Sequence, residues 1–108
     1  MTNKLANDVT PSKEDFERAA ELFGVLSTSA RLEIIGQLCN GERNVSELLG
    51  AIAVSQPNMS RHLNVLYHAG VVSKRRSGAQ VFYRIANESV VVMCKAVCSP
   101  NVSAKKMH

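Results

Sequence analysis

The central block of the chain, residues 48–87, contains no aspartate or glutamate and combines a helical pattern with a hairpin pattern. Its cations are Arg61, Lys74, Arg75, Arg76 and Arg84. Eight of the nine carboxylates precede the block and only Glu88 follows it. The formal net charge of +4 is therefore concentrated in one segment. Such a concentration predicts a positive face and a polyanionic partner, because neutralising phosphates releases their counterions.

Length and composition indicate one folded domain. The chain has 108 residues, enough for a single modest core, and its 45% apolar content argues against disorder. No apolar run is long enough to span a bilayer, and the polar N-terminus lacks a signal-peptide core, so we expect a cytoplasmic protein. Three cysteines are too few for a disulfide scaffold. Cys39, Cys94 and Cys98 are then free thiols, redox groups or metal ligands.

The N-terminal half reads as a leader and three helices. Residues 1–12 form an expected flexible leader, and Ser12 with Asp15 fits a helix N-cap before the periodic Phe16 to Phe23 run. A second helix is predicted over residues 30–38 and stops at Asn40-Gly41. A third, over residues 47–52, is predicted to be capped by Ser46.

The C-terminal half predicts a polar-faced helix, a hairpin and a last helix. Ser55 caps the fourth helix and Pro57 suits its first turn, while Met59, Leu63, Leu66 and Tyr67 form a buried stripe. Strand-like runs at residues 71–76 and 80–85 flank a Ser77-Gly78-Ala79 turn. Asn87 caps a helix over residues 88–98, and residues 100–108 form an expected flexible tail. The fold class is mainly α: a winged helix-turn-helix domain over residues 13–99, with about five helices and a two-stranded wing.

A helix-turn-helix followed by a basic wing predicts binding to double-stranded DNA. Gln56 and Asn58 can pair with adenine, Arg61 can read guanine or clamp a phosphate, and Ser60 permits close approach. The full candidate set is Ser55, Gln56, Asn58, Ser60, Arg61, His62, Asn64, Lys74, Arg75, Arg76 and Gly78. His62 lies at the edge of the apolar stripe and fits a packed side chain, a phosphate contact or a base contact. The alternative is a solvated polar helix beside an ordinary basic hairpin.

Three short motifs resemble the ArsR/SmtB family of bacterial winged-helix repressors. They are Ala-Arg-Leu at residues 30–32, Ser-x-His-Leu at residues 60–63 and Gly-x-x-Val-Phe-Tyr-Arg at residues 78–84, and the match covers about residues 22–97. The resemblance implies a homodimer joined through the first and last helices. It also implies an inverted-repeat operator that is released when an inducer binds.

The residues of the best-known family metal sites are missing. The helix before the recognition helix has no Cys-x-Cys pair, and the last helix offers Glu88 but no histidine, since His108 lies in the tail. The three thiols remain, and they resemble those of the sulfur-responsive branch of the family, which oxidise or form polysulfide links.

Helix geometry limits how these thiols can pair. Cys94 and Cys98 are one turn apart, where Cβ atoms are about 6 Å apart and a disulfide needs about 3.8 Å. We therefore expect either one to pair with Cys39 if the last helix packs beside the second. The alternatives are a thiolate site for arsenite or another soft metal at the same three cysteines, and cysteines that only fill the core.

Other function classes fit less well. The chain has no phosphate-binding loop and no set of residues for nucleophilic catalysis, so we expect no enzyme activity and no cofactor. A winged helix that binds only proteins would be expected to lose its basic wing, and this chain keeps three consecutive cations there.

Overall fold

A computed structural model of the chain describes residues 9–100, which form five helices and a small sheet. The helices are α1 (Lys13–Val25), α2 (Ser29–Leu38), α3 (Val45–Ala51), α4 (Gln56–His68) and α5 (Glu88–Cys98). The strands are β1 (Arg43–Asn44), β2 (Val72–Ser77) and β3 (Gln80–Ile85). The winged helix-turn-helix class is confirmed. Most of the expected leader and tail, at residues 1–8 and 101–108, lies outside the described residues.

Side-chain caps start the helices where the sequence predicted in three cases. Ser12 and Asp15 form a reciprocal capping box at α1, Ser55 Oγ accepts the backbone N–H of Asn58 at α4, and Asn87 caps α5. Each cap satisfies a backbone donor that the first helical turn leaves without a partner. The start and direction of α4 are therefore set locally by its own sequence.

The predicted start of α3 was wrong. Its cap is Asn44, not Ser46, and the helix runs over Val45–Ala51. Asn44 Oδ1 accepts the backbone N–H of Glu47 at 2.8 Å, and Glu47 Oε1 accepts that of Asn44 at 2.9 Å. Two reciprocal bonds satisfy more donors than a lone serine can, so the capping box sets the boundary.

The sheet has three strands in the order β1-β3-β2, all antiparallel, so a third strand joins the predicted two-stranded wing. β1 is only two residues long, and its partners are Tyr83 and Phe82. Ser77 pairs with Gln80, which leaves Gly78 and Ala79 as the turn. Gly78 has a φ of 65°, a left-handed conformation that glycine adopts without the steric cost of a Cβ atom.

One core joins α2, α3, α4, α5 and the base of the wing. Its fully buried side chains are Ile34, Ile35, Leu48, Met59, Leu63, Leu66, Val71 and Val90. Three of the four predicted α4 stripe residues belong to this core, and the prediction for the fourth was wrong. Tyr67 is 38% exposed, and its ring lies 4.4 Å from Lys74 Nζ, at the contact between α4 and the wing. The core thus fixes the position of α4 relative to the hairpin.

Two helices keep large apolar side chains in solvent. α1 buries none of its residues, and Phe16 and Phe23 are 60% and 61% exposed. On α5, Val92 and Val97 are 67% and 71% exposed. These residues leave an apolar face that the single chain does not cover.

Candidate nucleic-acid interface and thiol site

The outer face of α4 carries the polar residues that the sequence selected for base contacts. Gln56, Asn58, Ser60 and Asn64 are all exposed, while Met59 and Leu63 are buried. The helical repeat of 3.6 residues turns Asn58 and Asn64 away from Met59 and Leu63, while Gln56 is exposed in the first turn. Amides and hydroxyls on one exposed helical face are suited to donate to and accept from base edges in a major groove.

Arg61 is exposed on the same face and is held in place by a neighbour. Its Nη1 donates to Asn58 Oδ1 at 2.9 Å, one helical turn earlier. The contact leaves other guanidinium donors for a partner, because arginine has five N–H groups. It also means that Asn58 and Arg61 act as a connected pair on the α4 surface.

His62 is packed against α2 and is not part of the exposed face. Its Nδ1 accepts a hydrogen bond of 3.2 Å from Arg31 Nε, and Arg31 Nη1 also donates to the Val25 carbonyl at 2.9 Å. Burial lowers the pKa of His62, and the positive charges of Arg31 and Arg61 lower it further. Of the three roles left open by the sequence, this geometry matches the packed one. Arg31 was missed as a partner, although it lies in the Ala-Arg-Leu motif.

The wing presents its cations on both faces. Lys74, Arg75, Arg76 and the turn residue Gly78 are all exposed. Lys74 faces α4, where its Nζ lies over the Tyr67 ring. Successive side chains along a strand point to opposite faces, so Arg76 shares the face of Lys74 and Arg75 lies on the other.

Arg75 forms an ion pair with Glu42, a carboxylate that the sequence did not mark as part of the site. Its Nε and Nη2 donate to the two carboxylate oxygens of Glu42 at 2.8 and 2.7 Å. Its guanidinium also lies 4.8 Å from the centre of the Phe82 ring. The ion pair lowers the pKa of Glu42, mainly through the hydrogen bonds from Arg75. Nothing in the sequence marked Glu42, which lies 33 residues before Arg75.

The thiols come together where α2 and α5 pack side by side. Cys39 is the C-cap of α2, and Cys94 and Cys98 lie on α5. Cys39 and Cys94 are half-buried, and Cys98 is exposed. Burial raises the pKa of Cys94 to about 11, and interactions with the thiols of Cys98 and Cys39 raise it in the same direction. Cys94 is therefore a protonated thiol at neutral pH, near both other cysteines.

Within residues 9–100, no group of three or more His, Cys, Asp or Glu side chains is arranged to hold a metal ion. In the same part of the chain, no helix has the length and apolar character needed to cross a membrane.

The fold and the exposed polar face of α4 define a winged helix-turn-helix domain of the transcription-regulator class. The chain belongs to the arsR family of bacterial regulatory proteins, whose family model matches residues 28–74. That segment runs from the cap of α2 into β2 and includes the whole helix-turn-helix.

Similar proteins agree with this assignment. The HTH-type transcriptional repressor SmtB of Mycobacterium tuberculosis is 43% identical over 77 residues, which cover 71% of this chain and 57% of that repressor. The chain thus spans little more than half of that relative's length. The biofilm growth-associated repressor of Xylella fastidiosa is 34% identical over 103 residues, with 90% of both proteins covered. The homodimeric winged helix-turn-helix domain of Mb0332 from Mycobacterium bovis has a TM-score of 0.75 at 27% identity, covering 94% of this chain and 96% of that one.

Proposed function

We propose that the chain is a homodimeric repressor that binds an inverted-repeat DNA operator and releases it when its cysteine thiols react. The inducer in this proposal is a reactive sulfur species or another thiol oxidant. The observation that carries the proposal is the packing of α5 against α2, which places Cys94 near Cys39, the C-cap of α2 directly before the turn into β1 and α3.

DNA binding is supported by the chemistry of one surface. The exposed amides of Gln56 and Asn58 and the guanidinium of Arg61 lie on α4, and Lys74 and Arg76 lie on the adjacent face of the wing. In this arrangement a helix can read base edges directly while the flanking hairpin contacts the phosphates. Family membership supports the same conclusion.

Dimerisation is supported by the uncovered apolar faces of α1 and α5. A groove of about 400 Å³ lies between these helices, and its lining includes Phe23, Leu26, Val92 and Val97. A second copy of the chain would remove these side chains from water, which is the main driving force for such contacts. The Mycobacterium bovis domain of similar fold is described as homodimeric. Phe23→Glu should therefore give a monomer with weak operator binding.

The proposed release step is a thiol exchange that needs no metal. The Cys39 thiolate attacks the outer sulfur of a persulfide R–S–SH, which yields Cys39–S–SH and the thiolate R–S⁻. Cys94 then loses its proton and attacks the inner sulfur as the thiolate, which forms the Cys39–Cys94 disulfide. The leaving HS⁻ takes up that proton and departs as hydrogen sulfide. Cys94 suits the second role rather than the first, since its raised pKa keeps most of it protonated and makes it a poor nucleophile toward free persulfides. The bond would tie α5 to the end of α2 and alter the spacing of the two α4 helices.

The test begins with an operator selected from randomised DNA duplexes and measures binding by fluorescence anisotropy at several salt concentrations. Arg76→Ala should weaken binding and reduce the salt slope by about 0.9, the value for one lost phosphate contact. Salt-independent binding of the wild-type protein would refute DNA recognition by this surface.

The sensor is tested separately by treating wild type and Cys39→Ser with polysulfide, peroxide and arsenite. Wild type should lose the operator after polysulfide treatment, with a Cys39–Cys94 or Cys39–Cys98 link in its mass spectrum. Cys39→Ser should bind the operator as reduced wild type does and should not release it. Release by arsenite alone, with no sulfur link, would instead favour a thiolate site for a soft metal. Normal polysulfide release by Cys39→Ser would remove the thiol mechanism.

A further inference from the structure

We propose that Arg75 is a positioning residue that braces the wing through Glu42 and does not contact a DNA phosphate. The inference rests on the proposed DNA-binding function and divides the three wing cations into two kinds. Lys74 and Arg76 are left to contact the backbone of the nucleic acid. Arg75 holds the hairpin that carries them.

The first observation is how fully Arg75 is engaged. The bidentate contact with Glu42 uses two parallel N–H···O bonds, the geometry in which arginine and carboxylate interact most strongly and most directionally. The guanidinium also stacks on Phe82, the residue directly opposite Arg75 across β2 and β3. The side chain is thus held by two partners, one in the connection before β1 and one on β3.

The second observation is the face on which Arg75 lies. Lys74 lies over Tyr67 of α4, so the Lys74 face of the hairpin is the one next to the candidate recognition helix. Strand alternation places Arg76 on that face and Arg75 on the opposite one. Two cations are thereby directed to the side of the wing that adjoins α4, and the third is directed away from it.

The third observation is that Glu42 itself is held firmly. It follows Gly41, whose φ of 135° lies in the left-handed region, and precedes β1, which pairs with β3 at Arg43 and Tyr83. Arg43 Nη1 donates to the Glu42 carbonyl at 3.1 Å. A carboxylate on so short and well-fixed a segment can act as an anchor for the wing.

A second tie lies further along the same strand pair. Asn44 Nδ2 donates to Gln80 Oε1 at 2.8 Å, so the cap of α3 is joined to the start of β3. Glu42 and Asn44 therefore connect the turn after α2 to both strands of the hairpin. A hairpin held at these points loses less conformational freedom when it meets DNA, which favours binding.

The experiment compares operator affinity and salt slope for wild type, Glu42→Gln, Arg75→Ala and the double variant. Glu88→Gln is the control for removing one carboxylate, since Glu88 is exposed and lines the same cleft as Glu42 and Arg75. Relative to that control, Glu42→Gln should bind about two- to fivefold more weakly, a range typical of exposed ion pairs. Its salt slope should be unchanged, and the double variant should be no weaker than Arg75→Ala.

Competition between Glu42 and a phosphate for Arg75 predicts results of the opposite sign. Glu42→Gln would then bind more tightly than Glu88→Gln, with a salt slope steeper by about 0.9. That result would overturn the brace, and so would additive losses in the double variant.

Amide hydrogen exchange tests the brace without DNA and separates its failure from that of the proposed function. Glu42→Gln should exchange faster than wild type at the amides of β2 and β3, with α4 unchanged. Unchanged exchange in the wing would refute the brace even if the protein binds DNA as proposed. Faster wing exchange in Glu42→Gln, together with a wild-type protein that does not bind DNA, would support the brace and refute the DNA-binding function.

Discussion

Cys94 in the folded protein should react with iodoacetamide roughly tenfold more slowly than the same cysteine in the unfolded chain. The reason is its position on α5, where that helix packs against α2. Burial raises the pKa of Cys94 from 9.0 to about 11, and the neighbouring thiols of Cys98 and Cys39 act in the same direction. Only the thiolate is nucleophilic, so a raised pKa reduces the reactive fraction at neutral pH.

The magnitude follows from two opposing effects. A pKa that is higher by two lowers the thiolate fraction about a hundredfold at a pH below both values. The more basic thiolate is also the better nucleophile, and a Brønsted slope of about 0.4–0.5 recovers roughly six- to tenfold of that loss. The net expectation is a reaction slowed by about an order of magnitude.

The assay is differential alkylation of the reduced protein with light and heavy iodoacetamide, with and without urea, followed by mass spectrometry of the cysteine peptides. Exposed Cys98 serves as the control for reagent access. The native rate at Cys94 should keep rising toward pH 11, whereas the unfolded rate should level off near pH 9. Equal native and unfolded rates at neutral pH would show that Cys94 is not held protonated. The order of attack proposed for Cys39 and Cys94 would then lose its basis.

Three further predictions concern stability. The lowered pKa of His62 disfavours its protonation in the folded state. The contribution of neutral His62 to the free energy of unfolding should therefore be complete above about pH 6.5 and decline as the pH falls through the lowered value. Urea unfolding from pH 8 to 5 should therefore show a weaker pH dependence in His62→Gln than in wild type; identical slopes would contradict this. Gly78→Ala should cost about 1–2 kcal/mol because its φ is positive, whereas Gly50→Ala, in an open helical position, should be neutral or stabilising. Ser55→Ala should cost about 1 kcal/mol through loss of the α4 cap, read as a lower melting temperature, and an unchanged value would mean that the cap is dispensable.

Much of the fold followed from local patterns in the sequence. Ser12, Ser55 and Asn87 start their helices as predicted because a cap depends on residues two or three positions away. Gly78 marked the turn because its conformation excludes most other residues. The helical repeat in α4 separated exposed Arg61 from buried Met59.

The errors in the fold prediction arose where distant segments meet. β1 is too short to leave a pattern and exists because it pairs with β3, about forty residues later. The spacing of Tyr67 predicts a core residue. The end of α4 instead lies beside the wing, where Lys74 Nζ packs over the exposed Tyr67 ring. Neither result could be read from a window of neighbouring residues, because both depend on how the hairpin packs against the helices.

The same division applies to the candidate site. The sequence by itself determined a winged helix-turn-helix with a cation-rich, carboxylate-free block and three thiols outside it, since charge and periodicity are local properties. Only the tertiary structure decided which groups face each other. It turned His62 toward Arg31, bound Arg75 to Glu42 and packed the helix of Cys94 beside the helix that Cys39 ends. The physical reason is that side-chain pairing depends on the packing of whole helices and strands, which no single segment specifies.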